Sequence, residues 1–350
     1  LCRLDGDEFG ILLLGGDAKE AAHLFDKLQQ NFCKQQEYGG KKYFCTLSAG
    51  YAAYPEDGGN YLELFKRANY SLEYSKIMGK NRMTVFSRNI LADRERRLEL
   101  MELLRESVER GFAGFSIHYQ PQADTLSGRL CGAEALARWH CGKYGDVSPG
   151  EFIPLMEQSG LIVPFGQWIL SHGMAQCLEW RRSRPDFQIS VNLSYIQLSQ
   201  GDFISFLRTA LEENSLDPSR LIMELTETYL AKAEEDTLRL IAQMKELGVK
   251  IAMDDFGVGY SSLFSLKSIP VDVVKIDRRF VKGITSEPFN ATFIRSITDL
   301  CHDVGRKVCL EGVETKEEYE AVRELGMEYI QGYYFGRPMS ARQFEDRLKE

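Results

Sequence analysis

The chain has 350 residues, which favours about two domains, and its 43 basic against 51 acidic side chains give a formal net charge of −8. This acidic balance excludes general binding to a DNA or RNA polymer, which needs a basic surface against the phosphate backbone. Apolar residues make up 44% and charged residues 27%, as in folded globular proteins, and the cysteines show no paired spacing of a zinc site.

Residues 1–88 have the pattern of a small α+β domain. The apolar run at 10–14 predicts a strand, and Asp17 followed by Glu20 is a capping-box pattern at the start of a helix. The remaining predicted elements are a strand over 43–54, a turn over 55–59, a helix that ends at Gly79 and a strand over 82–86.

A charged segment with apolar residues at helical spacing, from Ala92 to Arg110, predicts an amphipathic helix between two domains. We place the boundary near Asn89 and the connecting helix at 89–111. Residues 112–350 alternate β-rich and helical segments, which predicts an α/β fold, a (β/α)8 barrel of the TIM type. The predicted barrel strands are 115–121, 130–139, 187–194, 221–226, 249–255, 271–277, 307–313 and 329–335.

Two features of the sequence bear on membrane insertion and cellular location. The most apolar stretch, 161–170, is interrupted by polar residues and falls short of the roughly 20 residues of a membrane span, so we expect no membrane span in this chain. The chain starts with Leu1 and has no signal peptide. We therefore expect a cytoplasmic piece of a longer protein, with any upstream sensor or membrane anchor outside this sequence.

Polar side chains, most of them carboxylates, interrupt or end the predicted strands: Glu134, Asn192, Glu224, Glu227, Asp254, Asp255, Lys275, Asp277, Glu311, Glu314 and Gln331. Because the carboxyl ends of parallel barrel strands meet at one mouth, these groups should converge there and repel one another. Hard oxygen ligands without His or Cys favour Mg²⁺ or Mn²⁺ over zinc, and the adjacent Asp254 and Asp255 can serve two ions of a phosphoryl-transfer site.

Each of these side chains also has a purely structural interpretation. Any single acid can be a solvated strand end or one partner of a surface ion pair. Lys275, inside an apolar run, can be a lysine that snorkels to the barrel edge. The glycine-rich segment after Asp255 lacks the ending of a phosphate-binding loop, so we interpret it as a flexible loop beside the metals.

Ordered motifs run through this region: YQPQAD at 119–124, GAEALARW at 132–139, EFIPLMEQSGLI at 151–162, VNLS at 191–194, ELTET at 224–228, DDFGVGYSSL at 254–263, VKIDRRF at 274–280, EGVET at 311–315 and QGYYFGRPM at 331–339. The series resembles the EAL-domain cyclic di-GMP phosphodiesterases. The resemblance implies a TIM-like barrel with one antiparallel strand, a homodimer formed through the barrel, and metal-dependent hydrolysis of cyclic di-GMP to linear pGpG. Val258 stands where the family usually has Thr or Ala.

The resemblance also implies a role for each position. The implied ligands of two Mg²⁺ or Mn²⁺ ions are Glu134, Asn192, Glu224, Asp254, Asp255 and Glu311, with Asp254 shared by both ions. The implied catalytic residues are Lys275, which contacts the nucleophilic water, together with Glu134 and Glu311. The implied substrate-binding residues are Arg138, Gln331, Asp277 and Glu314. Glu227 is implied to anchor the loop that follows Asp255.

The alternative interpretation is a receptor that binds cyclic di-GMP and signals to a partner without useful turnover. Loss of a metal ligand would mark such a receptor. Every implied ligand position holds the expected residue type, which favours the enzyme.

Residues 1–88 resemble the C-terminal half of a GGDEF domain through RLDGDEF at 3–9, TLSAGYAAYP at 46–55 and RANYSLEYSKIMGKNR at 67–82. Asp5 replaces the first glycine of the signature, where a side chain would intrude on a tight hairpin, and Asn69 replaces a common aspartate. Asp7 alone matches a metal ligand of that family. We therefore expect a regulatory or structural remnant and no synthesis of cyclic di-GMP.

Overall fold

The computed structural model describes residues 1–199, 202–231, 233, 235–258, 266 and 269–349. The strands are β1 (Cys2–Asp5), β2 (Glu8–Gly10), β3 (Gln36–Tyr38), β4 (Lys41–Tyr43), β5 (Ala49–Tyr51), β6 (Met83–Val85), β7 (Phe115–Asp124), β8 (Leu130–Cys141), β9 (Gly145–Val147), β10 (Gln188–Asn192), β11 (Leu221–Thr226), β12 (Lys250–Phe256), β13 (Val273–Ile276), β14 (Lys307–Glu311) and β15 (Tyr329–Gln331). The helices are α1 (Ala18–Phe32), α2 (Tyr61–Ile77), α3 (Arg88–Glu109), α4 (Pro149–Ser159), α5 (Ile162–Arg181), α6 (Tyr195–Ser199), α7 (Phe203–Asn214), α8 (Glu227–Leu230), α9 (Glu235–Glu246), α10 (Pro288–Asp303), α11 (Lys316–Val322) and α12 (Ala341–Lys349).

The chain divides into two units, Leu1–Leu100 and Met101–Glu350, and the division falls within α3. The first unit is small and of mixed α and β structure, as its sequence predicts. It contains two antiparallel pairs, β1 with β2 and β3 with β4, and the parallel pair of β5 and β6. The Asp17 carboxylate starts α1 by accepting the backbone N–H groups of Lys19 and Glu20.

Two strand predictions in this unit are wrong. β2 ends at Gly10, and the side chains of Leu12 and Leu14 are 78% and 89% exposed, so the apolar run at 10–14 gains no strand partner among the described residues. The strand predicted over 43–54 is two short strands, β4 and β5. They cannot form one strand because β4 pairs with β3 and β5 pairs with β6, in separate sheets.

The second unit contains a closed eight-stranded barrel. The strands pair in the order β10, β11, β12, β13, β14, β15, β7, β8, and the pairing of β8 with β10 closes the ring. β7 is antiparallel to both of its neighbours, β15 and β8, whereas the other barrel pairs are parallel. This confirms the predicted TIM-like barrel with one antiparallel strand.

The barrel core and the surrounding layer are built from different side chains. Ile222, Ala252, Val273 and Cys309 form a buried cluster with Tyr329 packed against it. Aromatic rings pack the surrounding helices against the barrel: the ring centroid of Phe165 in α5 lies 4.7 Å from that of Phe115 in β7. No helix of the described residues has the length and apolar character needed to cross a membrane.

Several barrel strands end a few residues from their predicted ends: β7 and β8 run longer, to Asp124 and Cys141, and β10, β13, β14 and β15 stop earlier. β14 stops at Glu311 because Gly312 adopts a left-handed conformation, with φ at +80°. β15 stops at Gln331, four residues before the predicted end, because the N–H of Tyr334 bonds the carbonyl of Val313 and the chain leaves the sheet. The short strand β9, which forms a hairpin with β8, was not predicted.

Candidate metal centre

The barrel strands bring the predicted polar residues to one mouth. Asn192 is the last residue of β10 and pairs with Glu224 of β11, and Glu311, the last residue of β14, pairs with Gln331 of β15. Parallel strands in register place such strand-end residues at similar depth. The barrel geometry, rather than any local loop, therefore gathers the site.

Lys275 lies at the centre of the site with its side chain only 2% exposed. Its Nζ contacts four carboxylates: Glu224 Oε2 at 2.6 Å, Glu311 Oε1 at 2.8 Å, Asp254 Oδ1 at 3.2 Å and Glu134 Oε2 at 3.4 Å. The residue does not snorkel to the barrel edge. One ammonium faces several acids, so the site carries surplus negative charge.

Glu134 is held by two amide side chains in addition to the lysine. Asn192 Nδ2 donates to its Oε1 at 2.7 Å, and Gln331 Nε2 donates to its Oε2 at 2.6 Å. An ionised carboxylate can only accept, so both amides must present their NH₂ groups to it. Both oxygens of Glu134 are therefore fixed by side chains from two other barrel strands, β10 and β15.

Burial and charge move the pKa values of these groups in different directions. Burial raises the pKa of Glu224, and the nearby Glu134 raises it further. Burial raises the pKa of Glu311 to about 7. For Glu134 the cost of burial is outweighed by Lys275 and the two amides, which lower its pKa. For Lys275 the carboxylates, Asp254 first among them, outweigh burial and raise its pKa.

Three carboxylates are close enough to share one cation. Single oxygen atoms of Asp254, Asp255 and Glu311 all lie within 4.8 Å of one another. Asp255 has a φ of +57°, which is unusual for a residue other than glycine, and its backbone N–H donates to Asp254 Oδ1 at 2.9 Å. The strained backbone turns the two neighbouring acids toward the same place.

The residues present fit a divalent metal centre. Glu224 Oε1 is buried and has no hydrogen-bond partner among the described residues, which a bound cation would supply. The surrounding donors are carboxylate and amide oxygens, the ligands that Mg²⁺ and Mn²⁺ prefer. Surplus negative charge in a buried site also needs a cation to offset it.

Glu227 contacts the chain just after the paired acids. It begins α8, is 2% exposed, and its Oε2 accepts the backbone N–H of Gly257 at 2.8 Å. Gly257 has a φ of +94°, and an added Cβ would lie 2.5 Å from the ring of Phe280. Of the predicted loop, residues 259–262 lie outside the described residues.

A cleft of about 270 Å³ opens beside these groups. Among the predicted substrate residues, Asp277, Glu314 and Gln331 line it, whereas Arg138 is half-buried on β8 and is not among its lining residues. Asp277 also accepts the backbone N–H of Arg279 at 2.9 Å.

Sequence reasoning missed four polar side chains of this region: Gln120, Arg278 and Tyr333, which line the cleft, and Gln122, which bonds the cleft residue Gln331. Gln120 pairs with Glu134 in the sheet, and Gln122 pairs with Gln331. The signal was available in the alternation of the strand YQPQAD, where both glutamines point to the same face.

Two family models match the chain. The EAL domain matches residues 101–338, and the diguanylate cyclase GGDEF domain matches residues 1–82. Among curated proteins, the chain is 35% identical over 344 residues to the bifunctional diguanylate cyclase/cyclic di-GMP phosphodiesterase MucR of Pseudomonas aeruginosa, covering 98% of this chain and 50% of that protein. It is 32% identical to the cyclic di-GMP phosphodiesterase NbdA of the same species, covering 100% of this chain and 44% of that protein. The chain thus spans about half the length of these relatives.

Solved structures show the same fold. The PaMucR phosphodiesterase in complex with c-di-GMP is 38% identical with a TM-score of 0.65, covering 70% of this chain and 99% of that one. The EAL enzyme Bd1971, in its form bound to cAMP and cyclic di-GMP, is 29% identical with a TM-score of 0.68, covering 75% of this chain and 72% of that one.

Proposed function

The chain belongs to the EAL domain family, with a partial GGDEF domain before the barrel, and on this premise we propose that it hydrolyses cyclic di-GMP to linear pGpG. The observation that carries the proposal is the arrangement around Lys275, whose Nζ lies within 3.4 Å of four buried or partly buried carboxylates. The activities for which MucR and NbdA are named, and the c-di-GMP complex of PaMucR, support the same substrate.

The site would hold two Mg²⁺ or Mn²⁺ ions. The residues for one ion are Glu134, Asn192, Glu224 and Asp254, and those for the second are Asp254, Asp255 and Glu311. When bound, such ions lower the pKa of a coordinated water and offset the charge of the phosphodiester.

The chain's own residues would complete the chemistry. Lys275, beside Glu134 and Glu311, orients the attacking water and stabilises the charge that develops on the phosphate oxygens. Attack by water forms a new bond to phosphorus, the bond from phosphorus to the 3′ oxygen breaks, and a proton lost by the water ends on that leaving oxygen. The product keeps its phosphate on the 5′ oxygen.

The substrate-binding residues remain proposals of the same kind. Asp277 and Glu314 line the cleft, where their carboxylates can accept the N–H groups of a guanine edge. Gln331 lines the same cleft and also bonds Glu134. Arg138, on the strand that carries Glu134, would contact a phosphate of cyclic di-GMP. A homodimer through the barrel belongs to the same proposal.

A comparison of metals separates an enzyme from a receptor. With Mg²⁺ or Mn²⁺, the purified chain should convert cyclic di-GMP to pGpG, measured by chromatography of the products. With Ca²⁺, which is larger and accepts looser ligand sets, it should bind the dinucleotide and leave it intact. If the chain binds cyclic di-GMP with all three metals and forms no pGpG after hours, the enzyme interpretation is wrong and the receptor interpretation is supported.

A further inference from the structure

Gln122 lies on the antiparallel strand β7, directly behind the carboxylates of the site. It pairs with Gln331 of β15 on one side and with Gly132 of β8 on the other. Its side chain is 7% exposed, and its Nε2 donates to Gln331 Oε1 at 2.9 Å and to Ser190 Oγ at 3.4 Å. A buried hydrogen-bond chain therefore runs from Gln122 through Gln331 to Glu134.

The neighbouring strand leaves room for this side chain. A Cβ on Gly132 would lie 3.0 Å from Gln122 Oε1, so the space above Gly132 is already filled by the amide of Gln122. Gly132 lies two residues before Glu134 on the same strand. The strand that carries Glu134 is thus shaped to accept Gln122.

The direction of each amide follows from its partners. The two ends of a glutamine amide are nearly the same in shape, and only hydrogen bonds decide which end points where. Glu134 requires the NH₂ end of Gln331, and the opposite end, Oε1, is buried and needs a donor, which Gln122 supplies. If Gln331 were flipped, its NH₂ would face the NH₂ of Gln122 and its oxygen would face the carboxylate of Glu134.

We propose that Gln122 is a positioning residue of the metal centre, which fixes the amide of Gln331 and, through it, the carboxylate of Glu134. This inference rests on the metal-binding part of the proposed function. Without Gln122, the buried oxygen of Gln331 loses its donor, and Gln331 can turn away from Glu134. Residues that orient metal ligands typically change metal affinity or activity by about 10- to 100-fold. Because Gln122 contacts the metal ligand Glu134 only through Gln331, we expect its loss to change metal affinity by about 10-fold.

Two variants and a matched control test the proposal by titration calorimetry with Mn²⁺, on the full chain and without cyclic di-GMP. Gln122→Met keeps the length of the side chain and removes its donor, so Mn²⁺ should bind about tenfold more weakly. Gln122→Glu offers Gln331 an acceptor instead, which turns the Gln331 oxygen toward Glu134 and should weaken binding further. The control is Gln188→Met, because Gln188 is also 7% exposed but starts β10 and bonds Tyr329 and Lys250.

The outcomes are distinct. Weaker Mn²⁺ binding in both Gln122 variants, with Gln188→Met within about twofold of wild type, supports the proposal; if Gln122→Met does not fold, Gln122→Glu decides. Wild-type affinity in a folded Gln122 variant, or an equal loss in the control, overturns it. Absence of Mn²⁺ binding by the wild-type chain overturns both this inference and the metal centre. A Gln122-dependent Mn²⁺ site without pGpG formation overturns the proposed hydrolysis alone.

Discussion

Lys275 shows how one residue can hold together a site that would otherwise repel itself. Its Nζ lies at 2.6 Å from Glu224 and 2.8 Å from Glu311, both in the barrel mouth. Removing one partner of a buried ionic cluster leaves uncompensated charge, which costs more than the cluster itself contributes. In the absence of metal, Lys275 is therefore the main electrostatic support of these acids.

We predict that Lys275→Met lowers the free energy of unfolding by about 3–5 kcal/mol in EDTA. Mg²⁺ should restore part of this loss, because the cation offsets the same carboxylates. Urea unfolding of both proteins, with EDTA and with Mg²⁺, measures the effect. Lys282→Met, at an exposed lysine, serves as the control. Equal stability of Lys275→Met and wild type in EDTA would show that the acids do not depend on the lysine.

Sequence reasoning at the residue scale identifies the charged groups and the amides that contact them, but it misses Gln122, which contacts one of those amides. Glu134, Asp254 and Lys275 interrupt apolar strands, and this contrast makes them visible. Gln122 is neutral and lies on a strand of mixed polarity, so its importance depends on a cross-strand neighbour, Gln331, that is distant in sequence. Only the three-dimensional register shows that pair.

At the scale of elements, a hydrogen bond links the start of α8 to the residue that follows β12. Glu227 at the start of α8 accepts the N–H of Gly257, which follows β12 directly and lies two residues after Asp255. Loss of this contact should release the chain after β12 and misplace the paired acids.

Glu227→Ala is expected to lower metal affinity or turnover by about 10- to 100-fold while the fold survives. Turnover of cyclic di-GMP at limiting Mg²⁺ and circular dichroism measure the two effects. A matched substitution is Glu235→Ala at the exposed start of α9, which should leave turnover unchanged. If Glu227→Ala turns over cyclic di-GMP at the wild-type rate at limiting Mg²⁺, the anchoring role assigned to Glu227 is wrong.

The barrel strands were predictable because each combines a buried apolar run with a polar interruption. The β11 prediction, 221–226, matches the observed strand Leu221–Thr226. Some of the errors occur where an apolar run continues past the point at which backbone pairing ends. Residues 332–335 are such a case, because they are apolar and aromatic but turn away from β15 through the bond between Tyr334 and Val313.

At the scale of the whole molecule, the two units differ in how closely they match the signature motifs of their families. In the first unit, Asp5 ends β1 and pairs with Glu8 of β2, so the acid that replaces a signature glycine lies in the hairpin itself. Gly6, the next residue, has a φ of +45° and makes the turn.

We predict that the purified chain makes no cyclic di-GMP from GTP, because an acidic side chain at this hairpin disfavours a nucleotide phosphate nearby. Incubation with GTP and Mg²⁺, followed by chromatography, measures the product. Asp5→Gly should also give no product, because Asp7 alone in this unit matches a metal ligand of the GGDEF family. Any cyclic di-GMP from either protein would contradict the prediction.

The carboxylates at the barrel mouth are the basis of the proposed hydrolysis, and one comparison tests them most directly. The initial rate of pGpG formation with saturating Mn²⁺ is measured for wild type, Glu134→Gln and the exposed control Glu179→Gln. Wild type and Glu179→Gln should form pGpG at equal rates, and folded Glu134→Gln should form none above background. Turnover by Glu134→Gln at the wild-type rate, or no turnover by the wild-type chain, would contradict the account.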